Sequence, residues 1–294
     1  MSKLKLVNLL DRKIQVLDVG ARGGLIGWLK EIENFCDVYS SEADPNLGEY
    51  KFNGFFNNNL KKNFYLCKEN SQSSFFAPNP EINNFEDQES RLNFKIIKDL
   101  NTITIDSLNI ENDIDIIKID TQGSEYEILE GAKNLLKKCM PLIFLETWTY
   151  PFYKDIKKTS EIIIYLENYG YELWGMDEAA SFRLKIDDLK SKNYSRRRIA
   201  GYNIFMVPNV KNLKNNLSYE KLKIYSFILY LHGYTDWSYE LIKNNKKDIF
   251  YNELLGQIIK ANKYAKINYL IYIFKDLFHK LCGKGSKPRY KKFT

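Results

Sequence analysis

The sequence predicts an α/β protein: a parallel sheet built from β-α units up to about residue 210, followed by a helical module over 211–294. Three observations carry that expectation. Short β-branched runs alternate with segments of helical spacing, as in parallel sheets covered on both faces. Charged residues crowd the downstream ends of those runs, where open parallel sheets bind their ligands. From "NVKNLKNN" onward the composition shifts to Lys, Asn, Tyr and Ile without glycine-punctuated strands.

The elements follow in order. Ile14 to Val19 reads as the first strand and Leu25 to Ile32 as the first helix. Val38 to Ser41, Phe64 to Cys67, Ile114 to Asp120 and Leu142 to Glu146 supply four more strands. A helix fits Glu125 to Leu136, with Ser124 and Glu127 spaced as a capping box, and another fits Ser160 to Tyr169, stopped by Gly170. Strands at Tyr171 to Met176 and Tyr202 to Val207 close the sheet region. The module beyond reads as helices over 218–232, 237–245, 249–264 and 267–282.

Between the third and fourth strands lies "KENSQSSFFAPNPEINNFEDQES", residues 68–90. A polar loop of this length inside a compact domain is usually functional, and Phe75, Phe76 and Phe85 need partners, so the stretch reads as a cover over a substrate or cofactor.

Composition excludes several classes. A net charge of +7 over 294 residues is only mildly basic, and no basic block in the first two hundred residues is long enough for a nucleic-acid footprint. Cys36, Cys67, Cys139 and Cys282 have neither a C-x-x-C pair nor finger spacing, which suits reduced thiols in a cytoplasmic protein. The N-terminus lacks the uninterrupted apolar core of a secretory signal, and no segment is apolar for long enough to span a membrane. The last stretch, an aromatic helix followed by the basic tail GKGSKPRYKKFT, reads first as a docked helix and second as a peripheral contact with an anionic membrane face.

The chemistry begins with "VLDVGARGG", residues 16–24. Glycines at a strand-to-helix turn let a ligand approach the backbone. No Lys-Ser or Lys-Thr follows, as a phosphate-binding P-loop requires, and Arg22 interrupts the dinucleotide pattern. Asp18 stands two residues before Gly20; a carboxylate there repels pyrophosphate but accepts from an ammonium or hydroxyl. The pattern points to a zwitterionic or cationic nucleoside such as S-adenosylmethionine. About twenty residues on, "VYSSEADP" ends the second strand with Glu42, placed to accept from both ribose hydroxyls, with Asp44 as its rival.

These pieces, together with "KIDTQGSEYEILEGA", resemble the FkbM family of S-adenosylmethionine-dependent methyltransferases. "SSFFAPNPE", "TITIDSL" and "LETWTYPFYKD…YLENYGYELWGM" fall in the family's order, so the resemblance covers roughly 14–207. It implies a Rossmann-like sheet of seven strands with the last antiparallel, S-adenosylmethionine as cofactor, and O-methylation of a sugar, glycan or glycosylated metabolite. Ala43 stands where many members carry proline, and Arg22 where a small or amide-bearing residue is usual. The cofactor set expected is Asp18, Gly20, Ala21, Arg22, Gly24, Glu42 and Ala43.

Methyl transfer from a sulfonium also needs a base for the attacking hydroxyl. His232 and His279 lie in the helical module, so carboxylates are the better candidates. Asp120 and Glu146 end adjacent strands and are read as the catalytic pair; the alternatives are that Asp120 binds the cofactor's amino-acid moiety, or that the two hold a divalent cation, for which the ligand set is incomplete, so no metal is assigned. Lys118 shares the face of Asp120 and either pairs with an acid or holds an anionic substrate. The rival reading is a non-catalytic adenosine-ligand or scaffold domain whose helical module binds a protein partner.

Overall fold

The structure is a computed structural model that describes residues 2–25, 27–47, 50, 52, 54–108, 113–186 and 196–264. They form two compact units, one spanning 11–224 and the other combining the described parts of 1–10 and 225–294.

Within 11–224, six strands form one sheet in the order β2-β1-β5-β6-β8-β7. These are β1 (Ile14–Val19), β2 (Cys36–Ser41), β5 (Ile116–Ile119), β6 (Leu142–Trp148), β7 (Tyr171–Phe182) and β8 (Arg198–Pro208). The pairings among β2, β1, β5 and β6 are parallel, whereas β8 runs antiparallel to both of its neighbours. The protein is therefore α/β with a mostly parallel central sheet.

Among the described residues the sheet has six strands rather than the expected seven. The run Phe64–Cys67 belongs to β3 (Lys61–Cys67), which pairs antiparallel with β4 (Phe94–Asn101) in a separate two-stranded ribbon. Exposed positions recur along both ribbon strands, as expected outside a doubly covered sheet.

The sheet's burial follows its side-chain period of two. Leu17 and Val19, Ile117 and Ile119, and Ile143 and Leu145 pack with Ile128, Leu129 and Ala132 and with Ile162 and Leu166. The helices that contribute are α4 (Glu125–Glu130), α5 (Lys133–Cys139) and α6 (Thr159–Glu167). Fully burying each aliphatic side chain of this kind is worth about 1.5–3 kcal/mol. The alternate positions, Asp18, Lys118, Phe144 and Glu146, fall on the other face, where the Phe144 and Phe205 rings stack at 4.3 Å.

The single helix expected over Glu125 to Leu136 is two, broken at Gly131. A Cβ there would lie 2.3 Å from the carbonyl oxygen of Phe56, so the backbone passes too close for any other residue. The expected capping box does not form, since the Ser124 side chain makes no cap hydrogen bond. Glu125 turns back instead and accepts from the Thr121 and Gly123 N–H groups at 3.1 and 3.0 Å.

The composition shift near 210 is not where the compact units divide. Helix α7 (Val210–Asn216) buries Val210 and Leu213 within the sheet unit. The start of α8 (Tyr219–Leu231) is tied there by Lys221, whose ammonium donates to the Ile114 carbonyl at 2.8 Å and pairs with Asp113. Lys223 pairs with Asp11 in the same unit.

The second unit contains α1 (Ser2–Val7), the later turns of α8, α9 (Thr235–Ile242) and helical residues 249–264. Ser226 and Ser238 donate to each other's carbonyl oxygens at 2.8 and 2.7 Å, joining α8 to α9. No helix among the described residues is long and apolar enough to cross a membrane. The helix expected over 267–282, His279, Cys282 and the basic tail lie outside the described residues.

Candidate active site

At the downstream ends of β1, β5 and β6 the chain encloses a cleft of about 360 Å³. Of the expected residues it is lined by Gly20, Arg22, Gly24, Glu42, Ala43, Lys118, Asp120 and Glu146. Asp18 is buried beneath it, and Ala21 is buried with its N–H donating to the Ser41 carbonyl at 2.9 Å.

Strand register explains the first part of the site. Asp18 and Lys118 are register partners on neighbouring parallel strands, so their side chains emerge together. The Lys118 ammonium donates to Asp18 Oδ1 at 2.9 Å, while Asp18 Oδ2 is buried without a partner. Of the two roles open to Lys118, the structure shows the pairing with an acid. Burial still holds the Asp18 carboxyl above its usual pKa, despite the lysine beside it.

The glycine turn lies against the end of β5. Gly20 has φ +78°, and a Cβ on it would come within 1.9 Å of the Asp120 carbonyl oxygen. Gly24 has φ +82° with nothing within 4 Å of the place a Cβ would occupy, leaving an open approach to the backbone.

The acids after β2 divide their work. Asp44 is buried and accepts from the Asn46 backbone and side chain at 3.0 and 2.9 Å and from Arg22 at 3.1 Å. Glu42 accepts from the Asp44 N–H at 3.0 Å and lines the cleft, which Asp44 does not. Arg22 also lies 3.9 Å from Glu42, so the unusual arginine is neutralised by the two acids of the next strand end.

Asp120 and Glu146 come together as expected from their strand ends. Gln122 joins them, its Nε2 donating to Glu146 Oε2 at 2.8 Å and approaching Asp120 Oδ1 at 3.2 Å. Burial, the charge of Asp120 and a hydrogen bond between the two carboxyls push the Glu146 pKa well above the usual carboxylate range. Two carboxyls this close share a proton more readily than they both ionise. Among the described residues no three His, Cys, Asp or Glu side chains gather where a metal ion could sit.

Several residues bonded into this cluster are not among those assigned from sequence. Gln122 has φ +57°, the left-handed region that is uncommon for a residue other than glycine. Its Oε1 accepts from the Tyr153 hydroxyl at 3.1 Å, and that hydroxyl also lies 2.6 Å from the Gln72 carbonyl. Arg91 Nε donates to the same hydroxyl at 3.0 Å. Gly123 shortly after the strand was the available signal, since glycine supplies the positive φ that tight turns need. Arg91 and Tyr153 are 62 positions apart and carried none.

The long loop contributes Asn70, Ser71, Gln72, Ser73 and Phe75 to the cleft wall. Cys67 and Ser73 bind it to β3, and Phe85 stacks on Phe182 at 4.0 Å. Its aromatic residues therefore have the partners that the sequence said they need.

A family model described as "Methyltransferase FkbM domain" matches residues 18–173, more than half of the 294-residue chain. The chain belongs to the FkbM methyltransferase family. Its methyl donor is accordingly S-adenosylmethionine. The matched span runs from Asp18 past Glu146, so it takes in every expected site residue of this FkbM chain.

Three solved structures are similar at low level. A TehB-like SAM-dependent methyltransferase from Corynebacterium glutamicum is 13% identical with a TM-score of 0.34, over 71% of this chain and 88% of that one. A methyltransferase FkbM from Methylobacillus flagellatus is 15% identical with a TM-score of 0.36, over 65% of this chain and 43% of that one. A precorrin-6y C5,15-methyltransferase from Geobacter metallireducens is 15% identical with a TM-score of 0.31, over 70% of this chain and 85% of that one. Likeness at these scores carries no argument about substrate. A comparison with curated proteins finds no match.

Proposed function

We propose that this FkbM-family protein O-methylates a hydroxyl of a sugar, glycan or glycosylated metabolite. The observation that carries the reading is the Asp120–Glu146 carboxyl pair, set in a cleft that begins at the glycine turn and ends beneath the 70–75 loop. S-adenosylmethionine, when bound, supplies an electrophilic methyl group on a sulfonium. The chain's residues fit that donor: Gly24 leaves the backbone open, and Glu42 faces the cleft for the ribose hydroxyls.

The carboxyl pair then does the acid-base work. Once Glu146 has lost its proton it can accept that of an attacking hydroxyl, and its raised pKa makes it a stronger base than an exposed carboxylate. Gln122 holds both carboxyls by its amide, and Tyr153 fixes Gln122. Phe64, Phe75 and Trp148 add apolar faces of the kind on which a sugar ring packs. Cys36, Cys67 and Cys139 are each unpaired and buried, which supports a reducing, cytoplasmic setting.

Incubation with S-adenosylmethionine and a carbohydrate panel, read by mass spectrometry, tests the reading. S-adenosylhomocysteine should appear together with one added methyl group on a carbohydrate. Turnover with other classes of acceptor alone would reject the sugar assignment.

The ribose assignment has its own test. Glu42→Ala should weaken S-adenosylmethionine binding by about 1.5–3 kcal/mol, the usual worth of hydrogen bonds to a charged group. Calorimetry on the folded variant measures this, and unchanged affinity would remove Glu42 from the donor site.

A further inference from the structure

Three cations line the cleft: Arg22, Lys118 and Arg91. The first two are neutralised within the protein, Arg22 by Asp44 and Lys118 by Asp18. Arg91 is different. It belongs to the short helix α3 (Glu89–Leu92), is only 6% exposed, and forms no ion pair among the described residues. Its hydrogen bonds go to neutral groups, the Tyr153 hydroxyl at 3.0 Å and Gln88 Oε1 at 2.7 Å. The guanidinium carbon is 4.7 Å from the Phe152 ring centroid and 5.4 Å from that of Trp148.

A buried guanidinium that touches no carboxylate costs stability, and among the described residues the carboxyl that feels its charge is that of Glu146, held well above the usual range and so largely neutral. The guanidinium's ring contacts and neutral acceptors offset part of that cost but leave the net charge in place. A second donor beside it is also unanswered: Trp148 lines the same cleft, and its indole N–H is buried without a partner. Two unmatched donors of this kind are what an anion-binding pocket presents before its ligand arrives.

The position is as informative as the charge. The Tyr153 hydroxyl that takes the Arg91 hydrogen bond also bonds Gln122, and Gln122 holds Asp120 and Glu146. Arg91 is thus separated from the carboxyl pair by one phenol and one amide. A negatively charged acceptor would be repelled by that pair unless a cation stood on its other side.

Resting on the sugar-hydroxyl reading above, we propose that the acceptor is anionic: a carboxylate or phosphate on it binds Arg91 and the Trp148 indole N–H, which directs a hydroxyl to Asp120 and Glu146.

The test is calorimetric titration of the full chain, first with S-adenosylhomocysteine and then, on the saturated protein, with D-glucuronate, D-glucose 1-phosphate and D-glucose. At least one anionic sugar should bind tenfold or more tightly than glucose, and which one does so distinguishes carboxylate from phosphate. Arg91→Met should erase the preference, while its melting temperature without ligand should equal or exceed that of the wild type. Arg91→Lys should keep part of the preference.

Glucose binding as tightly as both anions, absence of binding by either anion, or a preference that survives in Arg91→Met overturns the proposal. If Arg91→Met does not fold, Trp148→Phe decides. That variant keeps the aromatic wall but loses the donor; anion affinity should fall threefold or more, and unchanged affinity overturns the proposal. Failure to bind S-adenosylhomocysteine would count against the donor site instead, so the two readings fail separately.

Discussion

Glu146→Gln should lower kcat by about two to four orders of magnitude, the usual contribution of a positioned acid or base, while affinity for S-adenosylmethionine changes much less. The amide keeps nearly the same shape but cannot take a proton. Asp120→Asn should also lower kcat, because it removes the neighbouring charge that helps to raise the Glu146 pKa and so its basicity. In the wild type, kcat/KM should climb with pH through neutrality, since the raised pKa keeps much of Glu146 in the protonated form that cannot act as a base. Glu146→Gln should flatten that rise in whatever activity remains.

Stability should run the other way. A carboxyl whose pKa is raised on folding favours the native state while protonated, and that contribution is lost as pH rises through the native pKa. The wild type must therefore ionise or strain a buried carboxyl in alkaline solution, which the neutral glutamine avoids. Melting temperatures compared at acidic and alkaline pH should show Glu146→Gln gaining on the wild type as pH rises. Full activity in both variants with an identified acceptor would make the carboxyl pair structural.

Much of this site was legible because parallel strands align their ends. Asp18 and Lys118 lie at equivalent positions of adjacent β-branched runs, and Asp120 and Glu146 at the ends of two others; a period of two and a strand order are enough to gather them. The same rule could not say where Phe64–Cys67 belonged. A short apolar run states that it is a strand, not which edge it joins, and its partner Phe94–Asn101 carries Lys95, Lys98 and Asp99 in a largely exposed pattern. Helix breaks were similarly hidden, because Gly131 matters only through its approach to the Phe56 carbonyl. Arg91, Gln122 and Tyr153 were missed for the same reason: their roles exist only after the loop, the turn and the segment beyond β6 have met.

Gly20→Ala should be the most damaging glycine-to-alanine change among the described residues. Gly20 and Gly24 share nearly the same positive φ, so alanine at either costs about 1–2 kcal/mol of left-handed strain. They differ in what the methyl meets. At Gly24 it enters open cleft, and the variant should fold with little beyond that strain. At Gly20 it would lie 1.9 Å from the Asp120 carbonyl oxygen and 2.8 Å from its carbon, both backbone atoms that no rotamer change can move. Either the turn after β1 or the end of β5 must then shift, the first being the proposed donor turn and the second the place of the proposed catalytic carboxyl Asp120. Urea unfolding should show a loss of about 3–5 kcal/mol, in the range reserved for backbone strain and core disruption. Donor binding and turnover should fall together, unlike the separation expected for Glu146→Gln. A Gly20→Ala protein as stable as Gly24→Ala would mean that the two strand ends do not approach as closely as the site requires, because the methyl group would then have found room.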